Sequence, residues 1–349
     1  MRRCFALLFG IFVIYLMVMP VYALDYTAPQ APAGVEKYIP EENTSFGEGL
    51  WYVFKTTILD LRPDVQEAAT SCLSILAVML LASVVVQISK KSSNTIGLLT
   101  AVCLGLIIFK STNSFIQLGK STVEQLRDYG ILLLPTLSAV TAAQGFTTTS
   151  ATLYSGTFVF ISLLSTLITK CVIPVIYIYV ALCIADLAIP NEIFSNLMKF
   201  LKWLAVWSLK TVMYIFTGYM GITGVISGSV DSSALKATKL TISSAVPVVG
   251  GVISDASDTI LLSAGIMKNA IGMYGLFVII SICLGPFLKI AIHYLMLKFT
   301  ASICGVFSEK HMSKTLQELT GGMSLILAIT GTVCLLLLIS ILCYVRSSG

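Results

Sequence analysis

Charge is what this chain has least of. Only 11% of its 349 residues are Asp, Glu, Lys or Arg, against about 25% in a soluble globular domain. Histidine is limited to His293 and His311, which leaves little for a histidine-based metal site. Nine cysteines are present, yet no two are spaced C-x-x-C. Cys4, Cys72, Cys103, Cys171, Cys183, Cys283, Cys334 and Cys343 lie in hydrophobic runs, and Cys304 lies just outside one. They read as small apolar filler, not as a disulfide framework or metal site. No basic tract suggests nucleic acid. No nucleophile elbow, phosphate-binding loop, HExxH or dinucleotide fingerprint is found. The sequence therefore offers no argument for an enzyme and calls for no cofactor.

What the chain does have is apolar sequence. Hydrophobic residues make up 56%, and the mean hydropathy is +0.92. An all-α polytopic transmembrane protein with about seven crossings is expected, with one or two broken or re-entrant segments and interfacial amphipathic helices. Residues 1–23 have the signal-peptide layout: Arg2-Arg3, an apolar core from Phe5 to Met19, then Pro20 and the exit Val21-Tyr22-Ala23. This favours cleavage after Ala23 over an uncleaved first helix. Cleavage would take the net charge from +5 to +3. Residues 24–70 read as an extracytoplasmic polar segment and a helix at the membrane surface, and residues 71–349 as the transmembrane domain.

Within that domain the run 131–143 is short and interrupted by Pro135, so a broken or re-entrant helix is expected there. Spans at 151–169 and 171–189 follow one another without a real loop. Ile193, Leu197, Phe200, Leu201 and Leu204 share one face of an interfacial helix. Gly218, Gly221, Gly224 and Gly228 clear one stripe of the next span for a close helix neighbour, and helix packing is read ahead of a pore lining. Lys210 and Lys289 are read as snorkelling to an interface, with pairing to an intramembrane acid as the alternative.

Ser244–Lys268 is the polar exception. It places Pro247, Gly250, Gly251, Asp255 and Asp258 in an otherwise apolar region. The two acids are spaced i, i+3, one side of a helix. Either this face lines a polar path or binds a cation, or Ser254 or Asp255 caps a helix after the Gly-Gly break with Asp258 in its first turn. Capping is the reading preferred. Pro135 and Pro247, Pro174 and Pro286, and Cys171 and Cys283 share an offset of 112 residues. That register suggests a tandem repeat over 95–206 and 207–318, a device common in transport folds.

The run AVPVVGGVISDASDTILLSAGIMKNAIG, Ala245 to Gly272, resembles the most recognisable stretch of the stage III sporulation protein AE family. The glycine-rich span upstream and the charged amphipathic segment and last apolar helix downstream agree with it. The resemblance covers most of Leu50 to Val345. It implies a multi-pass subunit of a sporulation channel, in the mother-cell-derived membrane around the forespore. Its implied partners are other stage III sporulation subunits, a forespore membrane protein, membrane lipid and further copies of itself. It assigns no catalytic residues. The alternative is a self-contained secondary transporter coupled through Asp255 and Asp258; a third reading is a membrane scaffold without conduction.

Overall fold

The computed structural model describes residues 28–40, 44–88, 93–245, 250–307 and 310–346. The expected signal peptide and Pro247 lie outside them. Among the described residues there is no strand. The helices are α1 (Phe46–Asp60), α2 (Arg62–Ile88), α3 (Ser93–Ala143), α4 (Thr147–Leu167), α5 (Ile173–Ala188), α6 (Glu192–Ala245), α7 (Gly250–Phe307) and α8 (Lys310–Arg346). A single π-turn, Ile168–Val172, joins α4 to α5. Six stretches are long and apolar enough to cross a membrane: 62–85, 98–143, 147–188, 192–237, 261–306 and 312–346.

The breaks expected from proline are not where the chain turns. Pro135 lies inside α3, flanked by the buried Leu133, Leu134 and Leu137. A helical proline forfeits one backbone hydrogen bond. Breaking the helix there would strand several polar groups in apolar packing, so continuing is the cheaper solution. The two spans on either side of Lys170 are likewise one helix of 42 residues. Pro174, which lacks an N–H, sits in the first turn of α5, and the wide turn before it closes with Ile173 N–H donating to Ile168 O. The turn at 144–146 would fall at 256–258 in the second half at the 112-residue offset, but those positions are inside α7. Helix boundaries therefore do not follow that register.

α1 begins with a reciprocal cap. Ser45 Oγ accepts from Glu48 N–H at 3.4 Å, and Ser45 N–H donates to Glu48 Oε2 at 3.3 Å. The helix buries Gly49, Val53 and Thr57. Gly49 meets Phe277 and Thr57 lies opposite Gly285, so α1 runs lengthwise beside α7. The interfacial helix expected over 193–204 is the start of α6, with Ile193, Leu197, Phe200 and Trp203 facing outward.

Side-chain contacts set the levels of the bundle. Leu133 of α3 meets Gly275 of α7, and Ile326 of α8 meets Gly119. Ser111 Oγ lies 2.8 Å from His293 Nε2. Gln117 donates to Tyr177 Oη (3.0 Å), which donates to Asn113 Oδ1 (2.9 Å). Ile161 of α4 meets Gly130. The innermost helix is α8, with 56% of its apolar window buried against 19% for α6. Close approach is built by glycine at particular places: Tyr219 of α6 seats its ring on Gly156 of α4, where a Cβ would collide with it.

At about 1.5 Å per residue, spans of 42 and 46 residues exceed 60 Å, twice the roughly 30 Å hydrocarbon core of a bilayer. Outward apolar side chains follow that whole length. Leu132, Val159, Ile222 and Leu335 lie toward one end, and Leu81, Leu99, Leu106 and Phe299 toward the other. A charged waist separates the two belts. It contains the pairs Lys120–Glu124 (3.9 Å), Arg127–Asp128 (3.1 Å) and Lys289–Asp64 (3.1 Å), with Lys170 and Lys210 exposed beside them. A cation at the bilayer centre costs about 2.5–3.5 kcal/mol. Several together approach the total stability of a domain, about 5–15 kcal/mol, so the waist cannot sit there.

Lys37 pairs with Asp60, whose Oδ2 also accepts from Tyr38 Oη at 2.7 Å, tethering the N-terminal segment to α1. The Lys37 ammonium, and then the Tyr38 hydroxyl, hold the Asp60 carboxyl below its ordinary value. The tether is therefore complete above that ordinary value and is lost as pH falls through the lowered one. A carboxyl-carbon NMR titration should place Asp60 below 3.8, and Lys37→Met should move its midpoint upward.

Candidate functional site at the α6–α7 end of the bundle

The end of the bundle where α3 turns into α4 gathers polar groups from four helices, α3, α4, α6 and α7. The turn, Gln144–Phe146, needs a left-handed residue, and Gly145 supplies it at φ 88. Leu235 of α6 packs directly over Gly145. The residue in the N-cap position of α4 is Phe146, which has no side-chain acceptor. Its role passes to Asp231 of α6. The Asp231 carboxylate accepts from Thr148 N–H at 3.1 Å and Thr149 N–H at 2.7 Å, satisfying two orphan donors at a positive helix end. Asp186 does similar work at the opposite end, accepting from Asn191 N–H (3.3 Å) and Thr315 Oγ1 (2.7 Å).

Lys268 lies at the same level as the α3–α4 turn. Gly265, Lys268 and Gly272 share one face of α7. Gly265 admits the Gln144 amide, and Gly272 admits Val345 of α8. Between those two contacts Lys268 is 0% exposed. Its Nζ has no hydrogen-bond partner among the described residues, nor have Gln144 Oε1 and Thr149 Oγ1. A buried donor and a buried acceptor without partners among the described residues, Lys268 Nζ and Gln144 Oε1, are thus held on neighbouring turns at one level of the bundle. Chemically, such a layer can receive a polar or anionic group, and leaving it empty is costly.

Beyond that layer α6 continues to Ala245, and α7 begins at Gly250. Asp255 and Asp258 are on this extension, three residues apart within one helix. Because the helix starts at Gly250, Ser254 and Asp255 are interior positions and neither acid is in the first turn. The capping reading is corrected on that ground: the Gly250-Gly251 pair begins the helix and does not interrupt it. A same-helix separation of ten or more residues, about 15 Å, keeps both from Lys268.

The glycine stripe is the other sequence feature the structure places. A Cβ at Gly218, Gly221 or Gly228 would meet nothing within 4 Å; the surroundings of Gly224 lie outside the described residues. The described residues do not cover this face, and the close α4–α6 contact is made by Tyr219 and Gly156 instead. Lys289 forms the ion pair with Asp64, so pairing and not snorkelling alone describes it, while Lys210 is exposed. Asp231 and Lys268 were not singled out from sequence. The signal was a lone charge at the edge of an apolar run, and the run before Asp231 drew attention to its glycines. Among the described residues no cluster of three or more His, Cys, Asp or Glu could hold a metal ion.

Two substitutions should move stability in opposite directions. Asp231→Ala should destabilise the purified protein by about 1–2 kcal/mol, with Asp231→Asn milder because it keeps one acceptor. Lys268→Met, which removes an unpartnered buried group at nearly constant volume, should stabilise by about 1 kcal/mol or more. Thermal unfolding in detergent reads both.

Comparison with known proteins fits this picture. Stage III sporulation protein AE of Bacillus subtilis (strain 168) is 24% identical over 201 residues, covering 57% of this chain and 50% of the relative. The match thus spans half the length of that relative. No solved structure matches. The family model for stage III sporulation protein AE aligns with residues 43–348, from the start of α1 to the end of α8. On that extent, this chain of long apolar helices belongs to the stage III sporulation protein AE family.

Proposed function

We propose that this protein is an integral membrane subunit of a sporulation channel that links mother cell and forespore. It would sit in the mother-cell-derived membrane around the forespore and work by assembly, not catalysis. Family membership supports the sporulation role. The observation that carries the subunit reading is the open face of α6. Gly218, Gly221 and Gly228 expose backbone that none of the described residues covers, on the span that is both least apolar and least buried of the six. Lipid gains little from such a surface. A second helix gains a close approach, because small residues allow backbones to pack at short range. Further copies of this chain, the other stage III subunits and a forespore membrane protein are the partners proposed.

The test replaces Gly218 and Gly221 with Leu. Open space at both positions means the isolated protein should keep its thermal midpoint, whereas Gly156→Leu, which drives into Tyr219, should lose it. In sporulating cells the double variant should lose co-purification with the other subunits and lower spore yield by orders of magnitude. Normal yield with intact co-purification would overturn the subunit reading. A transporter working alone would instead move solute in liposomes and lose that activity in Asp255→Asn/Asp258→Asn. The subunit reading expects no solute movement by the purified chain.

A further inference from the structure

The waist has a consequence for how the molecule meets its membrane. Lys289 pairs with Asp64 beside the start of α2, one turn from the Ser111–His293 contact, which brings Lys110 to nearly the same level. Lys120 lies next to Gly119, which faces Ile326. Lys170 falls midway between Ile161, level with Gly130, and Tyr177, level with Asn113 and Gln117. Lys210 falls midway between Lys202, beside Gly321, and Tyr219, beside Gly156. Lysines from α3, the π-turn, α6 and α7 therefore fall in one band around the bundle, about 15 Å deep along the axis from Lys110 to Lys120, which their long flexible side chains can bring to a common level. Lys110, Lys170 and Lys210 are exposed and make no ion pair among the described residues. Lys120 and Lys289 keep side-chain exposures of 42% and 40% despite their acidic partners.

We propose that Lys110, Lys120, Lys170, Lys210 and Lys289 form a girdle that binds the phosphates of anionic phospholipid head groups, so that one surface of the bilayer runs across the middle of the bundle. Ammonium groups at this density find their counter-charges in a head-group layer, where phosphate is abundant and partly dehydrated. Aromatic side chains support the placement. Trp207 is exposed three residues from Lys210, with ring centroids 6.0 Å from Trp203, and Phe200 follows at 6.1 Å from Trp203. Such a ladder beside a lysine is the make-up of a membrane–water boundary. With the girdle at that boundary, one apolar belt lies in hydrocarbon. The other projects from the bilayer and needs a protein cover, which rests on the subunit reading; the girdle itself does not.

The experiment uses the full-length protein reconstituted in vesicles, with Trp51 and Trp203 replaced by Phe so that Trp207 reports alone. Its fluorescence is quenched with phosphatidylcholine brominated at successive acyl depths, and with brominated phosphatidylglycerol against brominated phosphatidylcholine. A shallow depth and about a three- to fivefold preference for phosphatidylglycerol are expected. The triple Lys110→Gln/Lys170→Gln/Lys210→Gln variant should abolish the preference, and the corresponding Lys→Arg variant should retain it while confirming that the fold tolerates change there. Quenching strongest at the bilayer centre, no quenching by lipid, equal quenching by the two head groups, or a preference that survives the Gln variant would each overturn the girdle. None of these outcomes depends on sporulation, so its failure is distinguishable from failure of the subunit reading.

Discussion

Helix length is the constraint on which the rest of this structure depends. Backbone polar groups in an apolar medium must be satisfied within the helix, so once a segment such as α3 or α7 enters that medium it has little freedom to stop. The result is helices of 51 and 58 residues in which Pro135 and Pro286 are absorbed. The same rule explains the π-turn at Ile168–Val172. A wide turn lets Pro174 enter without opening the backbone to lipid. A bundle built this way is longer than the bilayer is thick. It must then present two solvents along one axis, and the charged waist is where the sequence changes from one to the other.

Where helices do end, buried carboxylates complete them from a distance. Asp231 caps α4 from α6, and Asp186 reaches the start of α6 and Thr315 of α8. Each acid is buried, so each would be prohibitive in an apolar core without the backbone donors it satisfies. The caps tie an end of one helix to the middle of another. They fix the vertical register of the bundle, which ridges of Leu and Ile alone leave free to slide by a turn. Glycines at contact points act in the same direction, because Gly156 admits Tyr219, Gly272 admits Val345, and Gly130 admits Leu337 and Ile161.

Much of this was legible in sequence. Membrane class, helical content and the last span at 321–345 follow from composition and run length. Family resemblance followed from Ala245–Gly272. What misled was local punctuation. Pro135 reads as a break because propensity speaks for a solvated chain, whereas tertiary burial reverses the balance. Ser254 and Asp255 read as a cap because their chemistry suits one, but a cap needs a helix that begins there, and α7 begins at Gly250. The glycines of α6 read as a cleared face, and Gly218, Gly221 and Gly228 have open space beside them. Sequence spacing cannot say whether that face turns inward, since the other side of the same helix carries the buried Phe216 and Met220. Asp231 was missed because its partners, Thr148 and Thr149, are more than eighty residues away.

The Ser244–Lys268 segment therefore has a different character from the one its composition suggests. Its two acids belong to the helix that begins at Gly250. They lie on the part of α7 that runs past the α3–α4 turn, and the polarity continues inward only as far as Lys268. An acidic extension, then a buried cation with unsatisfied acceptors near it, then uninterrupted apolar helix is a graded sequence of environments along a single element. A coupling site enclosed by one chain would bring the acids and the lysine together, and one helix cannot fold back to do so. The gradient instead leaves acids and lysine apart along the helix, and the Lys268 ammonium has no hydrogen-bond partner among the described residues. That arrangement favours a protein completed by its neighbours over one that works alone.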